Sequence, residues 1–289
     1  MEMPTGSEYQ DKGFLNRTGN LASRIPTEMR YHTHGPALRE LWFFPQFEEE
    51  DLKRSTLVLC LAASSMAMAD VVPNHLAAVE GDSAFALTSA STNRKYQMTI
   101  AASQMATMSG KFLTGMRFRL NGTATANWPS VDTSYSYWEV YIGAGVAPGA
   151  MGSTFATNFL GTPTQVRSGG HTFFAGAFTA GSSPNAFGQA LVFDSNYLYT
   201  GGDLAVEMRF STQSGATNQP SFDAVAASGG PANGWGVDFS ARWTSNPTSA
   251  TGSNANFLVT DFMATAVPEP ATMIALGLGV AAVARRRRK

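Results

Sequence analysis

The side chains between Asp70 and Ala266 whose types could do chemistry are two histidines, eleven carboxylates and a group of aromatics. A histidine-dominated zinc site needs three or four converging ligands. His75, in VVPNHLAAVEG, and His171, in RSGGHTFFAG, are too few and too distant in the chain to suggest one. His75 is expected on the surface near the start of the body, and His171 in a loop or at a strand start. Glycoside hydrolysis needs two carboxyls about 5–10 Å apart in a cleft, and the candidates are Asp132, Glu139, Asp194, Asp203 and Glu207. Asp203 and Glu207 are four residues apart, so on one strand they stand about 13 Å from each other, too far for either mechanism. Glu207 is expected in solvent, on the polar side of its strand. No G-x-S-x-G occurs, and neither GVAPGAMGS nor SGGPANGWG opens a helix that could cradle phosphate. Asp194-Ser195-Asn196 and Gly201-Gly202-Asp203 offer oxygen ligands for a structural calcium. EF-hand spacing is absent, though, and Asx turns account for the same residues. The expectation is a protein without cofactor and without enzymatic activity.

The aromatics offer a different chemistry, stacking on saccharide rings. Trp128, Tyr135, Tyr137, Trp138, Tyr141, Trp235 and Trp243 are available, although packed cores take most aromatic side chains. If YSYWEVYIG is one strand, Tyr135, Tyr137 and Tyr141 share a face opposite Trp138, and one set must point outward. Trp128, Tyr135, Tyr137 and Tyr141 are therefore the candidate glycan contacts.

Composition narrows the partners. The chain of 289 residues has a net charge of −1 and only 14% charged residues. From Asp70 to Ala266 there are eight basic and eleven acidic residues, which leaves no distributed basic face for nucleic acid. The single cysteine, Cys60, falls in LKRSTLVLCLAASSMAMA, Leu52 to Ala69. That stretch has the positive start, apolar centre and Ala67-Met68-Ala69 exit of a secretory signal peptide, with cleavage expected before Asp70. The body would then carry no thiol. Residues 1–51 are polar and irregular and precede the signal. Our expectation is that they are a non-native or disordered leader and that translation begins at Leu52.

The chain ends VPEPATMIALGLGVAAVARRRRK. Ala271 to Ala284, with Gly277 and Gly279, would form a helix of about 21 Å, a marginal span of a hydrocarbon core of about 30 Å. Arg285, Arg286, Arg287, Arg288 and Lys289 hold that end cytoplasmic, and Pro268 and Pro270 keep the linker extended. This arrangement of Pro268-Glu269-Pro270, apolar helix and terminal arginine cluster resembles the PEP-CTERM sorting signal. The resemblance implies recognition by an exosortase-like membrane transpeptidase after passage through the export machinery. It further implies a Gram-negative host that makes exopolysaccharide.

What must position any site is a body of short alternating segments. In GMRFRLNG, Met116, Phe118 and Leu120 oppose Arg117 and Arg119. In GGDLAVEMRFS, Leu204, Val206, Met208 and Phe210 oppose Ala205, Glu207 and Arg209. GWGVDFSARW alternates from Trp235 to Trp243, and FLVTDFMATAV, Phe257 to Val267, reads as a last strand. With turn-rich stretches between them, these segments predict an antiparallel all-β body over 70–266, a jelly-roll-like β-sandwich. Residues 94–210 (RKYQMTIAAS, GMRFRLNG, LVFDSNYLYTGGDLAVEMRF) also resemble a recurrent PEP-CTERM body type. In that type the body is taken to be a β-sandwich with no assigned catalysis. The expected function is that of an exported, exosortase-processed surface or matrix protein, transiently anchored in the inner membrane and associated with exopolysaccharide or biofilm. The alternative is a secreted carbohydrate-binding module or weak glycan hydrolase.

Overall fold

The computed structural model describes residues 67–267. The leader, most of the signal segment, and the Pro-Glu-Pro, apolar and basic parts of the tail lie outside these residues. In chain order the strands are β1 (Ala67–Val72), β2 (Ser83–Phe85), β3 (Arg94–Ile100), β4 (Lys111–Arg117), β5 (Thr133–Tyr135) and β6 (Trp138–Ala144). Then come β7 (Thr164–Arg167), β8 (His171–Phe173), β9 (Leu191–Tyr199), β10 (Leu204–Phe210) and β11 (Gln213–Ser214). The last are β12 (Phe222–Val225), β13 (Phe239–Thr244), β14 (Ser253–Asn254), β15 (Phe257–Leu258) and β16 (Thr260–Ala266). Helical structure among the described residues is limited to short 3-10 segments such as Ala102–Met108 and Phe155–Asn158.

The strands form a four-stranded sheet, β1-β16-β4-β9, a six-stranded sheet, β14-β13-β3-β10-β6-β7, and two three-stranded sheets, β11-β5-β8 and β15-β12-β2. All these pairings are antiparallel, as the alternating segments require. Leu113, Met116 and Phe262 of the four-stranded sheet belong to the same buried cluster as Met98, Ile100, Val140, Val206 and Met208 of the six-stranded sheet. One core therefore receives the apolar faces of both large sheets.

Three expectations drawn from alternation are corrected. YSYWEVYIG is not one strand. β5 ends at Tyr135 and β6 begins at Trp138, because Ser136 and Tyr137 turn aside: Ser136 N–H donates to Ser211 Oγ (2.9 Å) and Trp138 N–H to Gly169 O (2.7 Å). The break shifts the phase, so Tyr135 and Trp138 both enter the core, their rings meeting edge-on at 4.8 Å. The strand expected from Trp235 begins only at Phe239. Gly234 and Gly236 stand at φ 93° and 76°, a left-handed conformation that closes a turn ahead of it.

The third correction concerns charge. Glu207, expected in solvent, is buried, and so is Arg119, read on the side opposite Met116, Phe118 and Leu120. The polar face of the six-stranded sheet is covered by chain from 145–159 and 244–252. Gln97 Nε2 donates to Phe155 O (2.9 Å) and to Glu207 Oε2 (3.2 Å), and Asn158 Nδ2 to Gln97 Oε1 (2.8 Å). Lys95 Nζ donates to Ser249 O (2.9 Å) and Ser240 Oγ to Pro148 O (2.8 Å). Arg119 Nε donates to Asp223 Oδ2 at 2.7 Å and its NH2 to Leu76 O and Val79 O, while Asp223 Oδ1 accepts from Gly81 N–H. Buried polar groups survive when they are this fully partnered.

Candidate functional site

The candidate aromatics do not form one outward face. Trp128 is 2% exposed, packed by Phe173, Phe178 and Phe222 at ring distances of 5.5–6.0 Å. Its Nε1–H is held by Asn218 O at 3.1 Å. Tyr135 is equally buried, its hydroxyl 3.4 Å from Gln213 Oε1, and burial pushes its phenol well above the usual range. Both are core residues, which corrects their expected role as glycan contacts. Tyr137 and Tyr141 are half-buried. The Tyr141 hydroxyl donates to Glu139 Oε2 (3.0 Å), and the Arg209 guanidinium sits 4.6 Å over its ring, so one stacking face is already taken.

Two hollows lie beside tryptophans. One, of about 390 Å³, is lined by Ser153, Trp243, Thr244, Ser245, Thr251 and Ser253. The other, of about 250 Å³, is lined by residues including Thr123, Thr125, Trp128, Asn218, Gln219 and Ser221. Hydroxyls and amides next to an indole are groups that suit saccharide hydroxyls and ring faces. The dense hydroxyls of TSNPTSATGS, Thr244 to Ser253, were the available signal for the first. The second joins segments some 90 residues apart and has no local signal.

Each candidate carboxylate is engaged by the fold. Glu207 Oε1 accepts from Arg209 Nε at 2.6 Å, Asp203 Oδ1 from Ala102 N–H at 2.8 Å, and Asp132 Oδ1 from Ala175 N–H at 2.8 Å. Asp194 Oδ2 accepts from Ser168 N–H at 2.7 Å and faces Arg167 at 3.6 Å, and Glu139 holds Tyr141. Among the described residues no three His, Cys, Asp or Glu side chains converge as metal ligands. His75 is exposed in the short Asn74–Leu76 turn. His171 opens β8, wedged edge-on against Phe173 (4.5 Å) and Trp138 (5.8 Å). Arg167 NH2 lies 3.2 Å from its Nδ1. A guanidinium only donates, so Nδ1 is the acceptor and the ring is neutral. Burial first, and then the Arg167 charge, lower its pKa to about 4.

The two ends of the described body lie side by side. β1 runs antiparallel to β16 with Ala67 opposite Thr265, Ala69 opposite Met263 and Asp70 opposite Phe262. Ala67 and Ala69, expected to precede the signal cleavage at Asp70, thus sit within the ladder. β16 ends at Ala266, and Val267 is exposed. Residues 266–289 match the family model described as the PEP-CTERM protein-sorting motif. The chain carries a PEP-CTERM sorting signal. No curated protein and no solved structure matches the chain.

The PEP-CTERM match begins on the last residue of β16. The handover from strand to signal follows from Pro268, which has no N–H to continue a ladder. The motif implies export, membrane-associated sorting and processing by an exosortase, itself a membrane protein. Among the described residues no helix is long and apolar enough to cross a membrane. The apolar run Ala271–Ala284, the basic tail and Pro268-Glu269-Pro270 itself lie outside those residues.

Proposed function

We propose that this is an exported, non-enzymatic surface or matrix protein whose β-sandwich body is delivered through its PEP-CTERM signal. In this reading the signal peptide is removed before Asp70, Ala271–Ala284 holds the chain briefly in the inner membrane, and an exosortase processes it at the Pro-Glu-Pro linker. The observation that carries the reading is the sorting motif starting where β16 ends, next to the exposed Val267. Two large sheets sharing one core support the sandwich reading. An association with exopolysaccharide follows from the family resemblance. Replacing Pro268, Glu269 and Pro270 by alanine tests the proposal: the protein should accumulate in the membrane fraction instead of at the surface or in the medium. Unchanged fractionation would count against it.

The second reading, a carbohydrate-binding module, is favoured by the hydroxyl-lined hollow beside Trp243. Glycan-array binding that is lost on Thr244→Ala with Ser245→Ala, while thermal stability is kept, would support it.

A further inference from the structure

The two large sheets are joined at one end. β9 passes to β10 between Tyr199 and Leu204, and β3 passes to β4 between Ile100 and Lys111. Lys111 is the partner of both Ala266 and Tyr199, and Leu204 is the partner of both Ile100 and Ala144. The sorting tail leaves from this end, after Ala266, and so does the chain leading into Ala67. Four large apolar side chains stand exposed there. Leu198 (43%) is next to last in β9 and Val267 (40%) follows β16. Val237 (56%) precedes Phe239, the partner of Ile100. Leu160 (71%) is tied to the end of β6 by its N–H to Ala144 O at 2.9 Å.

These four apolar side chains share the end from which the tail leaves, and the chain itself limits what can meet that end. Between Ala266 and the apolar run that starts at Ala271 there are four residues, which span at most about 14 Å even when fully extended. Whatever the linker's conformation, this end of the body cannot leave the membrane interface while the tail is inserted. We infer that Leu160, Leu198, Val237 and Val267 form a membrane-contact end that rests in the lipid interface before processing and is released after it. The partner is the headgroup–acyl boundary of a bilayer. Tethering makes even a modest apolar patch effective, because binding is then intramolecular, and cutting the linker ends that advantage. The inference rests on reading Ala271–Ala284 as the membrane segment.

The test uses the chain with its tail intact, in a Cys60→Ser background, reconstituted into phosphatidylethanolamine–phosphatidylglycerol vesicles. A polarity-sensitive thiol probe is placed at Leu198→Cys or Leu160→Cys. Val131→Cys serves as control, at an exposed residue ahead of β5, beyond the Trp138–Phe210 end of the sheet. Flotation with the vesicles first establishes insertion; failure to float rejects the membrane reading itself. With insertion shown, nitroxide-labelled lipid should quench the first two probes several-fold more than the control, and cleavage of the linker should abolish the difference. Equal quenching at all three positions overturns the inference. Shielding of the first two probes without lipid, accompanied by crosslinked dimer, also overturns it, in favour of a second copy.

Discussion

Thr265 lies opposite Ala67 across the β1–β16 ladder, so the last residues of the body pair with the residues expected to end the signal peptide. Cleavage before Asp70 would remove the β1 partners of Met263, Ala264 and Thr265, and leave Asp70, Val71 and Val72 paired with Phe262, Asp261 and Thr260. Signal cleavage must then act before the ladder closes, since a strand held in a sheet is a poor protease substrate. Hydrogen exchange on protein beginning at Ala67 and at Asp70 checks the pairing. The amides of Met263–Thr265 that point toward β1 should exchange at least about ten-fold faster in the shorter form. Equal rates would mean that residues 67–69 do not hold β16.

The Arg119–Asp223 pair is closed to solvent on both sides. Burial raises the Asp223 carboxyl while Arg119 and the Gly81 N–H oppose that rise. Removing one partner of such a pair leaves a stranded charge. Arg119→Met should lower unfolding stability by about 3–5 kcal/mol in urea titration. Arg119→Met with Asp223→Asn should recover most of that loss.

His171 makes the fold acid-sensitive in a defined window. Its folded pKa is lowered from the usual 6.5 to about 4, so between those values the unfolded chain binds more protons. Stability is therefore complete above pH 6.5, falls as pH drops toward 4, and loses nothing further from this group below that. In His171→Asn, urea midpoints should lose the part of their pH slope between 6.5 and 4 that this group supplies. An unchanged slope would remove His171 as the cause.

Trp128 and Tyr137 should behave oppositely. Trp128→Ala opens a cavity among Phe173, Phe178 and Phe222 and should cost about 3–5 kcal/mol. Tyr137→Ala, at a half-buried position, should stay within about 1 kcal/mol. Circular-dichroism melts separate the two. A loss of glycan binding in Trp128→Ala would therefore report unfolding and not a lost contact.

Much of the architecture was legible because alternation has a period of two. LAVEMRF appears as β10; of GMRFRLNG only Gly115–Arg117 lies in β4, and the strand expected over Phe257–Val267 divides into β15 and β16, which belong to different sheets. Where reading failed, tertiary cover or a local turn had overridden the pattern. Nothing near Glu207 in the chain announces that Gln97 and the Phe155–Asn158 turn close over it. Nothing in TSYSYWEV marks the two-residue break that carries Tyr135 into the core. Trp128 makes only an isolated bridge with Phe178, so it had no periodic neighbours to reveal it. The hollow beside Trp128 depends on segments some 90 residues apart meeting, which the chain does not display locally. The sorting signal was legible throughout because its parts are contiguous and each has a physical role.

The central claim is that the tail is a processed address. Intact mass of the exported protein from wild-type and exosortase-deleted cells tests it most directly. The account predicts that wild-type protein begins at Asp70 and lacks everything after Pro268-Glu269-Pro270, and that the deleted strain keeps the chain through Lys289. A tail intact in both strains would contradict it.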